Sequence, residues 1–338
     1  MVVPILLFTL GLVLLIKGGD WFVDGATGIA KRFHVPDILI GATVVSIGTT
    51  LPEVMVSATS AVQGHGEIAY GNAIGSIICN TALICALTIA IKPSTVNKET
   101  LKIPVAFFFT AAVFYSIISY TTGYFSRVVG IVLLLIFAVY MALQIRTAVR
   151  GNKNHELSTA DGAAETPEND ELKEELEKSG KAPLVKEIVL LVIGAALIAV
   201  GANLLVDNGT KIAQGLGVPE SVIALTFVAL GTSLPELVTA IQSLRKGHGL
   251  LSLGNIIGAN MFNLVLVSGL SITLNPFYIP ASKLIAGMNA SLVVDIPVML
   301  GVSLILTVPA LFKGKLFRAQ GILLLCIYVL YCVFQFVG

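Results

Sequence analysis

Ten long apolar runs leave this chain few alternatives to a helical bundle in a membrane. Each run is close to the roughly 20 residues that a helix needs to cross the hydrocarbon core of a bilayer. Only 12% of the residues are charged, whereas soluble domains have about 25%. The sequence therefore predicts an all-α membrane protein with ten transmembrane helices, at roughly 2–30, 36–63, 68–91, 103–122, 125–147, 184–210, 218–244, 251–275, 294–311 and 316–337.

One long polar stretch, residues 150–183, divides the ten runs into five and five. It contains nine acids and four lysines, a composition typical of a solvated segment. We therefore expect a first five-helix half at 1–149, an acidic linker at 150–183 and a second five-helix half at 184–338.

The basic residues predict an orientation. With the N-terminus outside, 17 Lys and Arg residues fall on cytoplasmic connections and three on external ones, Arg127, Lys211 and Lys283. Because positive charge is enriched on cytoplasmic loops, we expect a multi-pass protein of the cell (plasma or inner) membrane with both termini external and the linker cytoplasmic. The net charge of +1 argues against a nucleic-acid partner, and the lipid bilayer is the only macromolecular environment that the composition implies.

The two halves contain an internal repeat. Residues 18–80 align without a gap with 201–263, with 25 identities in 63 positions. The aligned segments include Gly-Thr-Thr-Leu-Pro-Glu at 48–53 and Gly-Thr-Ser-Leu-Pro-Glu at 231–236. Since each half holds an odd number of spans, the second copy enters the membrane from the opposite side. Inverted repeats of this kind are typical of transporters whose binding site lies at the bilayer midplane.

A proline and an acid recur at the centre of the second and seventh spans. Pro52 and Pro235 lack a backbone N–H and are predicted to interrupt their helices at the midplane, which would free carbonyls around Gly48 to Thr50 and Gly231 to Ser233. Glu53 and Glu236 follow directly. An ionised acid at mid-span costs about 2.5–3.5 kcal/mol, and two facing acids repel each other unless a cation lies between them.

The oxygens available at the two motifs suit a hard cation. Four carboxylate oxygens of Glu53 and Glu236 and the carbonyls of Thr49 and Thr232 give a set within the roughly 6–8 ligands that Ca²⁺ takes. The absence of Cys and His from these hexapeptides disfavours zinc, copper and iron. Ser76, Asn80 and Asn263 suit either ligand roles or hydrogen bonds between helices. Asp24 and Asp207, matched near span ends, suit a structural or gating role.

The paired hexapeptides, each followed by a Gly-Asn-x-x-Gly helix, resemble the two alpha-repeats of the calcium/cation antiporter superfamily, specifically its sodium/calcium exchanger branch. The resemblance covers nearly the whole chain, with the repeats at about 36–91 and 218–275. It implies electrogenic exchange of Na⁺ for Ca²⁺ by alternating access, without a cofactor, and movement of the first and sixth spans against the rest. By similarity, Glu53, Glu236 and the Thr49 and Thr232 carbonyls would hold Ca²⁺. The positions that would line the sodium and central sites are Ser46, Thr50, Ser76, Asn80, Ala229, Ser233 and Asn263.

Three positions depart from the family pattern. Ala259 stands where a serine is common, Ile77 replaces a common Asn, and Asn263 occupies a position that is acidic in many relatives, including the potassium-dependent exchangers. Asn263 argues against K⁺ cotransport, and the three changes together leave open whether Na⁺ or H⁺ drives the exchange.

Two alternatives to Na⁺/Ca²⁺ exchange follow from the same residues. A Ca²⁺/H⁺ exchanger of this fold would use the two adjacent acids to share a proton. An intramembrane hydrolase would use them as acid and base, but the chain contains no HExxH or GxSxG motif. We therefore expect a transporter rather than an enzyme, with Ca²⁺ and Na⁺ as transported ions, H⁺ as the alternative, and no obligatory protein partner.

Overall fold

The computed structural model describes residues 2–33, 35, 37–160, 184–215, 232–281 and 284–337. The prediction of an all-α membrane protein is confirmed: among these residues, nine helices are long and apolar enough to cross a bilayer. Of the predicted seventh span, 218–244, only the part from residue 232 is described. The predicted linker lies outside the described residues from 161 onwards, and its boundaries stay predictions.

The helices of the first half begin with α1 (Val2–Arg32) and end with a helix that continues beyond its predicted span. They are α1, α2 (Asp37–Ile40), α3 (Ser46–Val62), α4 (Gly66–Cys79), α5 (Ala86–Ile91), α6 (Lys98–Thr121) and α7 (Arg127–Ala160). A π-helical segment, Gly41–Val45, joins α2 to α3, and another, Asn80–Cys85, joins α4 to α5.

The described part of the second half has a similar order of helices. Its helices are α8 (Leu184–Gly215), α9 (Leu234–Arg245), α10 (Gly249–Phe262), α11 (Ser268–Leu274), α12 (Ile296–Lys313) and α13 (Arg318–Val337). π-Helical segments, Asn263–Val267 and Ser291–Asp295, precede α11 and α12. Two short antiparallel pairs lie in the loops, formed by β1 (Tyr124–Phe125) with β2 (Phe277–Tyr278) and by β3 (Leu284–Ile285) with β4 (Met288–Asn289).

The local backbone follows the sequence repeat closely. The helices α4 and α10 each have 14 residues and pass into π-helical segments that begin at Asn80 and Asn263. Gly64 and Gly247 precede them with φ of +86° and +82°, a conformation that glycine adopts at little cost. The repeat is therefore structural as well as sequential.

The backbone at the first proline differs from the prediction of an interrupted helix. Helix α3 continues through Pro52, although the proline removes the bond to the Gly48 carbonyl, because neighbouring helices and polar groups can satisfy the freed carbonyl of a membrane helix. The irregularity lies earlier, in the π-helical segment Gly41–Val45. In the second half, Ser233 is the residue before α9 and Pro235 lies in the first turn of that helix, where a missing N–H costs nothing.

Helices α1 and α8 pack against each other backbone to backbone. A Cβ atom on Gly25 would lie 2.5 Å from the Leu191 nitrogen, and one on Gly194 would lie 2.5 Å from the Phe22 nitrogen. These contacts pair the end of α1 with the start of α8, so the two helices are antiparallel. The Arg32 side chain also bonds the buried Glu187 carboxylate at 3.0 Å. The pair is therefore a tightly joined unit.

Candidate cation-binding site

The two glutamates of the repeated hexapeptides lie buried in the middle of the bundle. Glu53 on α3 and Glu236 on α9 are both 0% exposed, and the two helices contact each other. Among the described residues, none of their four carboxylate oxygens has a hydrogen-bond partner. Burying an unpaired charge costs several kcal/mol in real proteins, so this arrangement requires a cation or protons.

Neutral oxygen-bearing side chains without partners lie beside the glutamates in sequence or on segments that pack against the two glutamate helices. The side chains of Thr50, Asn80, Ser233 and Asn263 are buried, and their polar atoms have no hydrogen-bond partner among the described residues. Buried polar groups are nearly always satisfied, so this concentration of unsatisfied groups indicates a ligand site.

The packing of the helices is reciprocal between the halves. The π-helical segment that begins at Asn263 packs on α3, which carries Glu53, and the segment that begins at Asn80 packs on α9, which carries Glu236. Each half thus presents an amide to the carboxylate helix of the other. π-Helical turns are frequent at functional sites.

Two predicted residues are already engaged in hydrogen bonds across the repeat. The Ser46 hydroxyl donates to the Asn255 carbonyl at 2.9 Å, and the Thr49 hydroxyl donates to the Asn255 Oδ1 at 3.1 Å. Ser76 is buried and Thr232 is half-buried. Ala229 lies outside the described residues. The structure therefore brings together both glutamates, Thr49, Thr50, Ser46, Asn80, Ser233 and Asn263, and leaves the surroundings of Ala229 undescribed.

Sequence reasoning missed the asparagines of the Gly-Asn-x-x-Gly helices as site residues. Asn255, fully buried, accepts from Thr49 and Ser46 of the opposite half. Its repeat mate, Asn72, donates to the Ser57 hydroxyl at 2.8 Å and to the Glu53 carbonyl at 3.2 Å. Identity at both positions of the repeat was a signal that could have indicated these roles.

A cavity of about 710 Å³ and another of about 800 Å³ are present, and the larger one reaches the hexapeptides. It lies between α3 and α8, and its lining includes Gly48, Pro52 and Thr232 together with Asn203 and Asp207. Neither Glu53 nor Glu236 is among the described residues that line it, and most of its lining is apolar.

Comparison with known proteins places this geometry in a family. The model of the "Sodium/calcium exchanger protein" family matches residues 3–146 and 186–337. The chain is 35% identical over 323 residues to an uncharacterised membrane protein of Methanocaldococcus jannaschii, covering 96% of this chain and 95% of that protein. It is 31% identical over 361 residues to the sodium/calcium exchanger MaX1 of Methanosarcina acetivorans, covering 99% of both.

A solved structure shares the whole architecture. The sodium-calcium exchanger NCX_Mj, soaked with Na⁺ and Sr²⁺, superposes with a TM-score of 0.79 and 32% identity over 97% of each chain. The prediction of ten transmembrane helices in two inverted repeats is thereby confirmed. With its paired hexapeptides, its buried carboxylates and matches that span both halves, the chain belongs to the sodium/calcium exchanger family.

Proposed function

We propose that this protein exchanges Na⁺ for Ca²⁺ across the membrane by alternating access and that it extrudes Ca²⁺. The observation that carries the proposal is the pair of buried glutamates, Glu53 and Glu236, whose four oxygens have no partner among the described residues. One Ca²⁺ or two or more Na⁺ would neutralise the pair, so either ion could load the same site.

The ligands divide into two sets in this proposal. Both glutamates and the carbonyls of Thr49 and Thr232 hold Ca²⁺, and Asn255 fixes Thr49 through its hydroxyl. The remaining family positions line the Na⁺ sites or the central site. They are Ser46, Thr50, Ser76, Asn80, Ala229, Ser233 and Asn263. Support for the second set comes from the unsatisfied side chains of Thr50, Asn80, Ser233 and Asn263.

Exchange rather than leakage follows from the charge of the empty site. Closing the protein around two ionised, unpaired carboxylates would cost several kcal/mol for each. Forms loaded with Ca²⁺ or with Na⁺ avoid that cost and can switch, whereas the empty form stays open to one side. The α1–α8 unit is the moving part in this mechanism. The Na⁺ gradient and the membrane potential, about 2.3 kcal/mol per charge per 100 mV, drive Ca²⁺ outward.

Proteoliposomes test the proposal. An imposed Na⁺ gradient should drive ⁴⁵Ca²⁺ uptake, and Glu53→Gln and Glu236→Gln should abolish it. Glu99→Gln is the matched control, because Glu99 is an exposed acid that pairs with Lys102. If Na⁺ gradients move no ⁴⁵Ca²⁺, or if the two site variants transport normally, the proposal fails.

A second candidate, Ca²⁺/H⁺ exchange, is favoured by specific residues. Ala259 provides no hydroxyl, and Asn263 provides an amide where many relatives have a carboxylate, so the site is weaker for Na⁺. Two close carboxyl groups can also share a proton. The two candidates separate in one measurement: ⁴⁵Ca²⁺ uptake driven by a pH gradient in Na⁺-free vesicles supports proton coupling, and uptake that requires Na⁺ supports sodium coupling.

The orientation belongs to the same proposal. We place the protein in the cell membrane, with both termini outside and the acidic linker between two five-helix halves in the cytoplasm. A membrane-impermeant maleimide added to intact cells should label a Tyr124→Cys variant and not an Asn97→Cys variant, both in a background without native cysteines. Both positions lie in exposed loops, at opposite ends of α6. The reverse labelling pattern would invert the assignment.

A further inference from the structure

The smaller cavity, of about 710 Å³, lies away from the candidate cation-binding site, at the end of α5. Loops from both halves form its walls: 92–95 from the first half, and 247–250 and 315–318 from the second. Its basic lining consists of Lys92, His248, Lys315 and Arg318, and it is called the basic cavity below. Most Lys and Arg residues of the chain are on the connections of this face, which is the proposed cytoplasmic one.

The charge of the basic cavity is uncompensated by its own walls. Lys92, Lys315 and Arg318 are basic residues, and no acid occurs among the described lining residues. None of the three forms an ion pair among the described residues. Like charges that converge on one space repel each other, so the cavity favours an anionic occupant.

Backbone hydrogen bonds join two of the loops that line the cavity. The Val96 nitrogen donates to the Gly314 carbonyl at 2.9 Å, and the Leu316 nitrogen donates to the Ser94 carbonyl at 2.9 Å. Lys315 lies in the middle of this short ladder, opposite Thr95. The ladder therefore ties a loop of the first half to a loop of the second half beside the cavity.

One further wall adds to the positive potential. Helix α10 begins at Gly249, and both Gly249 and Leu250 line the cavity. The start of a helix carries partial positive charge from its unpaired N–H groups. This effect reinforces the three cations and does not replace them.

The rest of the lining is apolar, and this decides the class of ligand. Ile89, Leu244, Leu250 and Leu253 line the same space as the cations. A free phosphate would contact the cations and leave this aliphatic wall without a partner. An amphiphile satisfies both surfaces, because its headgroup meets the cations while its glycerol and acyl carbons cover the aliphatic side chains. Basic pockets between helices on the cytoplasmic side bind lipid headgroups in other membrane proteins.

We propose that the basic cavity binds an anionic phospholipid through its phosphate headgroup, and that this lipid bridges the two halves of the protein. The proposal does not depend on which ions the protein exchanges. The bridge would be structural, since the cavity joins the end of α5 to the start of α10, the helices that continue from Asn80 and towards Asn263.

Native mass spectrometry of the purified full-length protein provides the test. The probe is phosphatidylglycerol, with phosphatidylcholine as the neutral comparison. A cation near a membrane surface contributes about 1 kcal/mol to attraction of an anionic lipid, which corresponds to about fivefold in affinity. The double variant Lys92→Gln/Lys315→Gln should therefore bind phosphatidylglycerol about 30-fold more weakly and phosphatidylcholine unchanged.

The matched control is Lys98→Gln/Lys102→Gln. It removes the same charge from the same face, but neither residue lines the basic cavity. Equal loss of phosphatidylglycerol in both double variants would show binding to a general basic surface and would overturn the proposal. Elution as a monodisperse peak in phosphatidylcholine-containing detergent verifies that the variants fold, and Arg318→Gln provides a second, single-site variant with an expected fivefold loss.

A second arm separates a lipid from a soluble anion. Inorganic phosphate is titrated into the protein while its thermal unfolding is followed. Stabilisation of the wild type by phosphatidylglycerol, lost in Lys92→Gln/Lys315→Gln, supports the lipid. Stabilisation by millimolar inorganic phosphate that is equally lost in that variant, without any by phosphatidylglycerol, would assign the cavity to a soluble phosphate and overturn the proposal.

Discussion

The two ends of the α1–α8 unit meet the rest of the protein differently, although repeated sequence surrounds both. At one end, the Lys246 ammonium lies 2.8 Å from Asp24 Oδ1 and 3.6 Å from Asp20 Oδ1. At the other, the repeat mates are Gln63, Asp207 and Asn203. Lys246, Asp20 and Asp24 are called the ionic latch below.

The packing of helices also differs between the two ends of the α1–α8 unit. Beside the latch, α1 contacts α9 directly: the Gln242 side chain donates to the Ile16 carbonyl at 3.3 Å, and a Cβ on Gly19 would lie 2.6 Å from Val238 Cγ1. Towards the other end, Asn203 and Asp207 line the cavity of about 800 Å³ that lies between α8 and α3. The repeats therefore keep the centre of the molecule alike and diverge at the ends. In an alternating-access protein, such divergence sets which side is preferred.

The largest expected effect is on Ca²⁺ transport and comes from the two glutamates that the halves have in common. Because Glu53 and Glu236 are repeat mates with equal burial, Glu53→Gln and Glu236→Gln should each reduce Ca²⁺ transport more than about 100-fold, the loss expected when a charged ligand is removed. Each should also raise the melting temperature in ion-free detergent, since a buried unpaired charge is removed. Thermal unfolding with and without Ca²⁺ measures this. Stabilisation of only one variant would show that the two acids are not equivalent.

The next largest effect is a difference between Asn255 and its repeat mate Asn72 in their influence on Ca²⁺ transport. Asn255→Ala removes the acceptor of the Thr49 and Ser46 hydroxyls, and a buried group left unsatisfied costs about 1–3 kcal/mol. We expect the apparent KM for Ca²⁺ to rise about tenfold, the equivalent of 1.4 kcal/mol. Asn72→Ala, whose side-chain bonds are to Ser57 and the Glu53 carbonyl, should raise it less. Transport assays over a range of Ca²⁺ concentrations compare them, and equal effects would contradict the asymmetry.

The sequence predicted the elements whose signal is local. The spans follow from apolar length, and the two glutamates follow from a repeat that places an unusual residue twice in the membrane. The path of the backbone through Pro52 was not predictable, because a single missing N–H can either open a helix or leave it continuous, and the surrounding packing decides. The latch was not predictable either, since Lys246 lies in a connection far from Asp24 in the sequence, and only the fold brings the two together. For Asp24, sequence reasoning reached a structural or gating role without naming the partner.

A smaller effect follows from removing the latch. Exposed ion pairs contribute about 0.2–1 kcal/mol each. If the two pairs of the latch together contribute about 1 kcal/mol, Lys246→Gln should shift the equilibrium between the two open states about fivefold. Val238 becomes accessible when α1 leaves α9, and a Val238→Cys variant in a cysteine-free background should react faster with maleimide when Lys246→Gln is added. Lys246→Arg, which keeps the charge, is the control. Unchanged labelling would mean that the latch has no energetic role.

The smallest effect comes from building a latch at the open end. Gln63→Lys would place a cation opposite Asp207, but its second partner would be the neutral Asn203, where the existing latch has Asp20. One ion pair should contribute about half as much as two, so labelling of a Met55→Cys variant, which lies in the larger cavity, should slow by less than about fivefold.

Adding Asn203→Asp to Gln63→Lys should bring the shift to that of the natural latch. Salt at about 1 M should abolish both shifts, because the Debye length is then about 3 Å. Gln63→Glu should act in the opposite direction through repulsion from Asp207. If Gln63→Lys and Gln63→Glu slow labelling equally, side-chain size rather than charge determines the preference. The difference between the two ends would then lie in the packing of α1 on α9.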